Sequence, residues 1–459
     1  MPKKKTALTI EERLQQALVP AEEQPYEVPE NWVWVRLGGV TQVIGGGTPS
    51  TSKKEYYDGG TISWLSPVDL SNYNDIYISH GNKMITLEGL NNSSAKLLPK
   101  DTVCLTSRAP IGYVAIAENE LSTNQGFKSF LPSPTYLARF LYWYLKGNKE
   151  LLESKASGTT FLELSASKAA TIEFPLPPLS EQQRIVERIE ELFAKLDEAK
   201  ERLQEVADSF AVRKAAILHK AFSGELTKQW RLENGVSDES WEEKKFDDCI
   251  EKMQNGLSKR KGDEGNNIGV LRLANLGEDD LVLDDLRYIL LTEKEEKNYL
   301  LSKDDVIMIR VNGSKDNVAR QIVINTDEKL AFCDHIIRIK YNPNIVARYV
   351  MYFSKTNAYR KYVEDNMVSS AGQNTISRKG LASLVIPLPS IEEQHEIVRL
   401  IDDLLARERA AQQATEQALA SIDLMKKSIL ARAFRGELGT NKASEASALE
   451  LLKQVLAEN

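Results

Sequence analysis

Apolar side chains recur every three or four residues along two long segments of the chain, which is the spacing of one face of an α-helix. In the first segment this apolar stripe runs from Ile189 to Phe210, with no glycine or proline before Gly224. Ser180 and Gln183 have the spacing of a capping box just before it. The pattern predicts a helix of about 40 residues, roughly 60 Å long.

The second segment carries a similar stripe from Ile401 to Met425, with more polar residues in its middle. Such long helices cannot bury an apolar stripe alone. We therefore expect the two helices to pair with each other as an antiparallel coiled coil, with the remaining parts of the chain at opposite ends.

The sequence contains an internal repeat. Residues 174–186, which contain Pro-Leu-Pro-Pro-Leu-Ser-Glu-Gln-Gln, recur at 386–398, and residues 221–226 recur at 433–438. Both pairs are separated by 212 positions, so more than fifty residues align without a gap. The regions before each copy correspond more loosely, with shifting offsets. This pattern indicates two variable modules, each followed by a spacer helix of constant length.

The variable modules have short β-rich stretches bounded by Gly, Pro, Asn and Asp, which is typical of mixed α/β structure. The predicted fold is α+β, with two mixed α/β domains alternating with two long paired helices in a pseudo-twofold repeat. Short amphipathic stretches at 10–18 and 449–456 are expected to pack together or against the Gly-Glu-Leu ends. The predicted divisions are an N-terminal helical arm (1–30), a first module (31–171), a central helical spacer (172–227), a second module (228–384), a C-terminal helical spacer (385–439) and a helical tail (440–459).

Composition narrows the class of protein. The chain has 459 residues, 42% hydrophobic and 27% charged, which is enough for several folded cores. It contains no apolar run of membrane-spanning length and no apolar stretch after its basic N-terminus. Its three cysteines form no Cys-x-x-Cys pair, and its four histidines are scattered. We expect a cytoplasmic protein with no structural metal.

Charge is unevenly distributed along the chain. The net charge is −7, but residues 31–171 carry 13 basic and 11 acidic side chains, and residues 241–384 carry 23 of each. The excess of acid therefore lies in the spacers and termini. Phosphate-loop, dinucleotide, amino-methyltransferase, serine-hydrolase and zinc-protease motifs are not found in the sequence. Their joint absence favours a binding or scaffolding protein.

These motifs closely resemble those of the specificity (S) subunit of type I restriction–modification systems, the HsdS family. The resemblance rests on Pro-Leu-Pro-Pro-Leu-x-Glu-Gln-x-x-Ile-Val at 175–186, on Ile-Leu-x-x-Ala-Phe-x-Gly-Glu-Leu at 217–226, and on their repeats at 387–398 and 429–438. It covers nearly the whole chain.

The resemblance implies that each module is a target recognition domain reading one half of a bipartite, asymmetric double-stranded DNA sequence. The paired helices fix the gap between the halves, and two modification (methyltransferase) subunits dock on them. Those subunits bind S-adenosylmethionine and methylate adenine N6, and restriction/translocase subunits, with ATP and Mg, cleave DNA. The S subunit itself is expected to be non-catalytic and to hold no cofactor or metal.

Base contacts are expected from cationic, amide and hydroxyl side chains on the module loops. Arg108 and Arg310 are favoured because each ends a β-like stretch, whereas each of the other candidates has solvation on a loop as its alternative. Glu181, Gln182, Glu393 and Gln394 begin the helices and are expected to cap them, to dock the modification subunits, or both. The predicted DNA contacts are Thr48, Ser50, Lys53, Lys54, Arg108, Asn124, Gln125 and Thr160 in the first module and Lys259, Arg260, Lys261, Arg310, Asn312, Lys315, Gln373 and Asn374 in the second.

Two other functions stay open at this point. The chain could be the recognition subunit of a type IIB-like composite nuclease–methyltransferase, which ATP dependence of cleavage would separate from a type I system. It could also be a coiled-coil scaffold without DNA contact, although that function leaves two unlike modules unexplained.

Overall fold

The computed structural model describes residues 9–158 and 162–458. The chain forms two compact units. Unit 1 contains residues 1–202 and 418–459, and unit 2 contains residues 203–417. Each unit therefore holds one variable module and one half of each spacer helix.

The elements of the first half of the chain begin with a short helix and end with the first spacer helix. In chain order they are α1 (Ile10–Ala17), β1 (Val33–Arg36), β2 (Val43–Gly45), β3 (Ile62–Leu65), β4 (Tyr77–Ile78), β5 (Lys83–Ile85), α2 (Leu87–Asn91), β6 (Val103–Ser107), β7 (Ile111–Ala117), β8 (Ser122–Thr123), β9 (Phe127–Phe130), α3 (Ala138–Gly147), α4 (Lys149–Lys155), α5 (Ala166–Ala170), β10 (Glu173–Leu176) and α6 (Leu179–Phe222).

The second half repeats this order with different loops. Its elements are α7 (Lys228–Asn234), β11 (Glu242–Lys245), β12 (Ile250–Asn255), β13 (Asn266–Leu271), β14 (Arg287–Leu291), α8 (Glu293–Tyr299), β15 (Val306–Ile309), β16 (Val311–Asn312), β17 (Gln321–Val323), β18 (Leu330–Phe332), β19 (Ile336–Tyr341), α9 (Ala347–Phe353), α10 (Asn357–Asn366), β20 (Val368–Ser370), β21 (Gln373–Thr375), α11 (Arg378–Leu381), β22 (Val385–Leu388), α12 (Ile391–Phe434) and α13 (Ala448–Glu458).

The main sheets of the two modules share four strands in the same order, and that of unit 1 has β4 as a fifth. The main sheet of unit 1 has the order β2-β9-β6-β7-β4, and that of unit 2 has the order β12-β19-β15-β17. A three-stranded sheet, β5-β3-β8 in unit 1 and β14-β13-β18 in unit 2, also recurs with its parallel pair. The predicted α+β fold with an internal repeat is therefore confirmed.

The spacer helices pair antiparallel within each unit. In unit 1, Lys426 of α12 contacts Asp197 of α6 at 2.5 Å, and Lys200, farther along α6, lies 4.0 Å from Asp423, which is earlier on α12. In unit 2, Arg213 of α6 pairs with Glu408 of α12 at 2.9 Å. Both helices have 44 residues, so the equal lengths predicted from the repeat are confirmed.

Two details of the helix prediction are wrong. The first helix begins at Leu179, because the carbonyl of Pro178 accepts the N–H groups of Glu181 and Gln182, so Ser180 lies inside the helix and does not cap it. The predicted stripe also drifts off the buried face: Val206 is 40% exposed and Met425 is 48% exposed. An α-helix has 3.6 residues per turn, whereas a heptad repeat assumes 3.5. Positions assigned by a strict heptad therefore move off the contact face over several turns.

Equivalent polar contacts fix the module helix to the spacer in each unit. In unit 1, Arg139 of α3 pairs with Glu190 of α6, and the indole of Trp143 donates to the same carboxylate at 3.1 Å. In unit 2, Arg348 of α9 pairs with Asp402 of α12 at 2.8 Å, and the Tyr352 hydroxyl donates to Asp402. Each module is thereby held at one orientation on its helix.

The N-terminal and C-terminal helices of the described chain meet in unit 1. Helix α1 packs on α13, and the guanidinium of Arg13 donates to the Leu456 carbonyl at 3.4 Å. Arg184 of α6 pairs bidentately with Glu445, which precedes α13, at 2.8 Å. The prediction that the terminal stretches pack together is confirmed.

None of the helices among residues 9–158 and 162–458 combines the length and the apolar character needed to cross a bilayer.

Candidate nucleic-acid interface

Three loops of unit 1 meet at one end of its main sheet, where β2 and β6 end and β7 and β9 begin. The Gly47 N–H donates to the Thr123 carbonyl at 2.9 Å, and the Ser107 N–H donates to the Gly126 carbonyl at 2.7 Å. These bonds join residues 46–54, 107–110 and 123–126, which we call interface 1. The interface contains all the predicted DNA contacts of the first module except Thr160, which lies outside the described residues.

Gly46 allows this close approach. A Cβ at this position would lie 2.0 Å from the Asn124 carbonyl oxygen, so a side chain would push the loops apart. Gly46 thus serves to shape the backbone of these loops.

A buried lysine ties the loops of interface 1 together. Lys128 of β9 donates to the Ser107 hydroxyl at 3.0 Å and to the Gln125 carbonyl at 3.4 Å, and it lies 3.5 Å from Glu163. Glu163 also pairs with Arg108 at 3.7 Å. Burial lowers the pKa of the Lys128 ammonium, and the Glu163 charge opposes that shift. Glu163 and Lys128 therefore connect Arg108 to the loop that carries Gln125.

The other side chains of interface 1 differ in their freedom. The Thr48 hydroxyl donates to the Gln125 side-chain carbonyl, and the Asn124 side-chain oxygen accepts the Gly126 N–H at 2.8 Å. The Ser50 and Ser52 hydroxyls lie 2.9 Å apart. The ammonium of Lys53 donates to the Tyr56 hydroxyl at 3.0 Å, while Ser50, Lys53, Lys54 and Gln125 are all exposed.

Unit 2 builds the same arrangement from different side chains. The Leu257 N–H donates to the Phe332 carbonyl, and the Arg310 N–H donates to the His335 carbonyl, each at 2.8 Å. Residues 256–261, 310–315 and 333–335 are thereby joined, and we call them, with the hairpin 368–375, interface 2.

The hairpin of interface 2 is formed by β20 and β21, and its strand β21 pairs with β16. Its turn residues Ala371 and Gly372 both have positive φ, 49° and 76°, as a two-residue hairpin turn requires. The Ile376 N–H donates to the Arg310 carbonyl at 3.1 Å, so Arg310 lies at the base of the hairpin and the exposed Gln373 near its tip.

Asn374 is the exception among the predicted contacts. Its side chain is buried, donates to the Gly313 carbonyl at 2.9 Å and accepts the Ser369 hydroxyl at 2.6 Å. These bonds hold the hairpin to the loop that follows β16. We therefore assign Asn374 a structural role and exclude it from the proposed DNA contacts.

Most cations of interface 2 are paired with acids. Lys259 contacts Glu295 at 2.7 Å, Arg260 lies 3.6 Å from Asp334, and Lys315 lies 3.7 Å from Glu364. The hydrogen bond from Lys259 is the largest of the effects that lower the pKa of Glu295. Within the described residues the guanidinium of the half-exposed Arg310 has no hydrogen bond or ion pair, and it is free to bind a ligand.

Four polar residues in and beside these interfaces were not predicted from the sequence: Lys128, Glu163, Asp334 and His335. Lys128 carried a usable signal, because it is the one charged residue in the otherwise uncharged strand Phe127–Phe130. Cys333, Asp334 and His335 also place three potential metal-binding atoms within 4.8 Å of one another. The Arg260 charge beside Asp334 and the burial that raises the pKa of Cys333 both oppose a cation there.

The four residues predicted to cap the helices or dock partners are buried, with at most 1% exposure. Gln182 accepts the Leu137 N–H at 2.8 Å and donates to the carbonyls of Thr135 and Pro177 at 3.0 and 2.9 Å. Gln394 repeats all three bonds in unit 2, with Val346, Asn344 and Pro389. Each glutamine thus joins its module to the start of a spacer helix.

The neighbouring glutamates join each helix start to the far end of the repeat. Glu181 accepts hydrogen bonds from the Trp32 indole and the Asn441 amide, each at 2.8 Å. Glu393 accepts the Arg231 guanidinium at 2.7 Å and the Thr227 hydroxyl at 2.6 Å. Their burial favours the structural role of the four residues over direct docking.

Replacing Glu181 with glutamine is expected to make the protein relatively more stable as pH rises. Burial raises the pKa of Glu181, against the opposing effect of the Trp32 and Asn441 hydrogen bonds. A raised carboxyl pKa stabilises the fold at low pH, and that contribution is lost as pH rises through the folded-state value. Glu181→Gln keeps an acceptor oxygen and removes the titration. Melting temperatures between about pH 4 and pH 7 should show the variant gaining on the wild type.

The exposed Glu187 on the same helix provides the control, Glu187→Gln. If the Glu181→Gln difference instead shrank with rising pH, the raised pKa of Glu181 would be contradicted.

Comparison with known proteins agrees with this architecture. A family model described as the type I restriction modification DNA specificity domain matches residues 29–208 and 238–419. The StySPI specificity subunit of Salmonella potsdam is 31% identical over 94% of this chain and 96% of its own length. The EcoKI specificity subunit of Escherichia coli K12 is 26% identical over the same shares of the two chains.

Two solved structures share the fold. A chain from a study of complex assembly and conformational transition of the type I restriction–modification system has a TM-score of 0.63 at 20% identity, covering 90% of this chain and 100% of that one. The HsdS subunit from Thermoanaerobacter tengcongensis has a TM-score of 0.60 at 20% identity, with 91% and 100% coverage.

The chain belongs to the type I restriction–modification DNA specificity family. It is a specificity subunit, whose role is DNA sequence recognition and not catalysis.

Proposed function

We propose that interface 1 and interface 2 each read one half of a bipartite, asymmetric DNA target. The proposal rests on one observation: the two interfaces have the same backbone arrangement but present different side chains. Ser107 and Arg310 occupy the same position in the two units. Each backbone N–H donates to a carbonyl of the opposite loop, and each carbonyl accepts an N–H from the segment that leads back to the spacer helix. Gln125 and Gly126 correspond in the same way to Asp334 and His335. A shared scaffold with different reading groups fits two unlike half-sites.

The side chains have the chemistry of major-groove recognition. Arginine donates two hydrogen bonds to guanine, glutamine and asparagine pair with adenine, and carboxylates accept from cytosine. Arg108 and Gln125 would supply these groups in the first half-site, and Arg310, Gln373 and Asp334 in the second. The other candidates would contribute hydroxyl, amide or cationic contacts: Thr48, Ser50, Lys53, Lys54 and Asn124 in interface 1 and Lys259, Arg260, Lys261, Asn312 and Lys315 in interface 2.

The modules are close to neutral, so they provide little electrostatic attraction for DNA. Neutralised phosphates supply much of the free energy of DNA binding, and most cations of interface 2 already have acidic partners. We infer that partner subunits provide much of the non-specific attraction, while this chain provides base contacts.

The partners are proposed to be two modification subunits, which hold S-adenosylmethionine and methylate adenine N6, and restriction/translocase subunits, which use ATP and Mg to cleave DNA. This chain would hold no cofactor and would act in the cytoplasm, where its DNA substrate lies. Because the four predicted docking residues are buried, docking would use the exposed faces of α6 and α12.

Co-expression with a cognate modification subunit tests this function. We expect N6-methyladenine, mapped across host DNA by long-read sequencing, to mark one asymmetric motif of two short specific parts with a fixed gap. No methylation by a stable complex would contradict it. Cleavage that does not depend on ATP would instead support the type IIB-like alternative.

A further inference from the structure

Unit 2 has an open groove that unit 1 has closed. The groove, of about 350 Å³, lies between the end of α6, the start of α10 and strand β22. Phe222 forms part of its wall and is only half-buried, and Val385 on its rim is 44% exposed. Covering an exposed apolar surface of this kind with a partner is favourable, and such surfaces mark interaction sites.

The repeat shows what fills the equivalent space. Phe434, the counterpart of Phe222 at the constant offset of 212, is 2% exposed. It contacts Tyr144 at 5.0 Å between ring centroids, just as Phe222 contacts Phe353 at 5.3 Å. The position is therefore the same in both units, and only its cover differs.

In unit 1, Tyr26 lies beside Arg435, the residue after Phe434, and packs on Trp34. The rings of Tyr26 and Trp34 pack edge to face with centroids 4.9 Å apart, and the Trp34 indole donates to the Tyr26 carbonyl at 3.1 Å. Arg435 lies over the Tyr26 ring at 5.3 Å. In the strand register, Trp34 pairs with Pro175 and Glu243 pairs with Pro387, so Glu243 stands where unit 1 has tryptophan.

The arm that carries Tyr26 also covers a strand edge. Its Val19 N–H donates to the Trp34 carbonyl at 3.0 Å, and Leu18 forms a β-bridge with Val35. Strand β1 is thus paired on both sides. In unit 2, β11 pairs with β22 alone among the described residues. Unit 2 therefore has both an unfilled aromatic site and a free strand edge beside it.

The charge of the groove differs from that of its counterpart. Trp34 is replaced by Glu243, and Arg435 is replaced by Ser223 at the same offset of 212. Both changes make the site more negative. Glu243 is exposed and makes no ion pair in the described part of the chain. A basic residue in the occupant would complement it.

We propose that this groove binds an extended segment of a partner polypeptide, which adds to the free edge of β11 and inserts an aromatic ring against Phe222, with a basic residue near Glu243. Strand addition supplies backbone hydrogen bonds, and the groove supplies side-chain specificity. Because the equivalent site in unit 1 is filled by the chain itself, the segment binds once per chain. A partner recognised here is thus distinguished from subunits that bind both repeats alike.

A labelled peptide tests the proposal with the full-length chain. The peptide has the sequence of residues 16–28, the segment that covers unit 1, with its three glutamates changed to lysine. Fluorescence anisotropy should show saturable binding with one site per chain. The same peptide with Tyr26→Ala should bind about tenfold more weakly, since a buried aromatic anchor dominates such contacts.

Two variants of the chain locate the binding site. Glu243→Trp restores the residue found in unit 1 and should fill the groove and abolish binding, while Glu243→Gln should weaken it by removing the charge. Glu242→Trp, on the opposite face of β11, is the matched control and should bind normally. Absence of binding, equal binding of the two peptides, or unchanged binding by Glu243→Trp would each overturn the proposal.

Discussion

Replacing Glu393 with alanine is expected to lower the free energy of unfolding of unit 2 by about 3 kcal/mol. Glu393 is fully buried, and its carboxylate accepts the guanidinium of Arg231, whose side chain is 7% exposed. Removing one partner of a buried ion pair leaves the other charge without its buried counter-charge, which costs far more than the pair contributes. We expect the lower end of the range for a broken buried ion pair, because Asp238 still contacts Arg231 at 2.9 Å.

Urea unfolding followed by circular dichroism measures this effect. The matched control is Glu392→Ala, which removes an exposed carboxylate from the same helical turn and should change stability by less than about 0.5 kcal/mol. Replacing Arg231 and Glu393 together with leucine should recover part of the loss, since no lone charge stays buried. Equal effects of Glu393→Ala and Glu392→Ala would contradict the assigned role.

Replacing Arg310 with alanine is expected to lower the affinity of the assembled methyltransferase for its DNA target by about 10- to 100-fold. A bidentate contact from arginine to guanine discriminates by about 1–3 kcal/mol, and tenfold corresponds to 1.4 kcal/mol. Arg310 suits this role because its guanidinium is free among the described residues, at the base of an exposed hairpin. Anisotropy titrations with the target duplex and a scrambled duplex measure the change.

The control for charge alone is Lys228→Ala, which removes an exposed cation from α7 and from neither interface. This variant should weaken binding to the two duplexes equally and only slightly. If Arg310→Ala also weakened binding to both duplexes equally, Arg310 would contact phosphate and not a base.

The sequence predicted the parts of the fold that depend on local spacing. The constant offset of 212 identified the repeat, and the absence of glycine and proline predicted helices that prove to be 44 residues long. The start of the first helix was misplaced because Ser180 has the side chain of a cap, whereas Pro178, which cannot offer one, supplies the carbonyl that begins the helix.

The parts that depend on distant contacts could not be read from the sequence. Gln182 was expected to cap the helix or dock a partner, but two of its three hydrogen-bond partners, Leu137 and Thr135, come from a segment that only the folded chain brings to it. Asn374 looked like a loop amide, and its burial results from the pairing of β16 with a hairpin more than sixty residues away. Lys128 is assigned only when the three loops it joins are seen together.

The most direct test of the account compares the methylated motifs of two variants, Gln125→Ala in interface 1 and Arg310→Ala in interface 2, each co-expressed with the same modification subunit. The account predicts that each variant relaxes the sequence of one half of the motif, a different half in each case, and leaves the other half and the gap unchanged. If either variant altered both halves or the gap, or if both altered the same half, the assignment of one half-site to each interface would be contradicted.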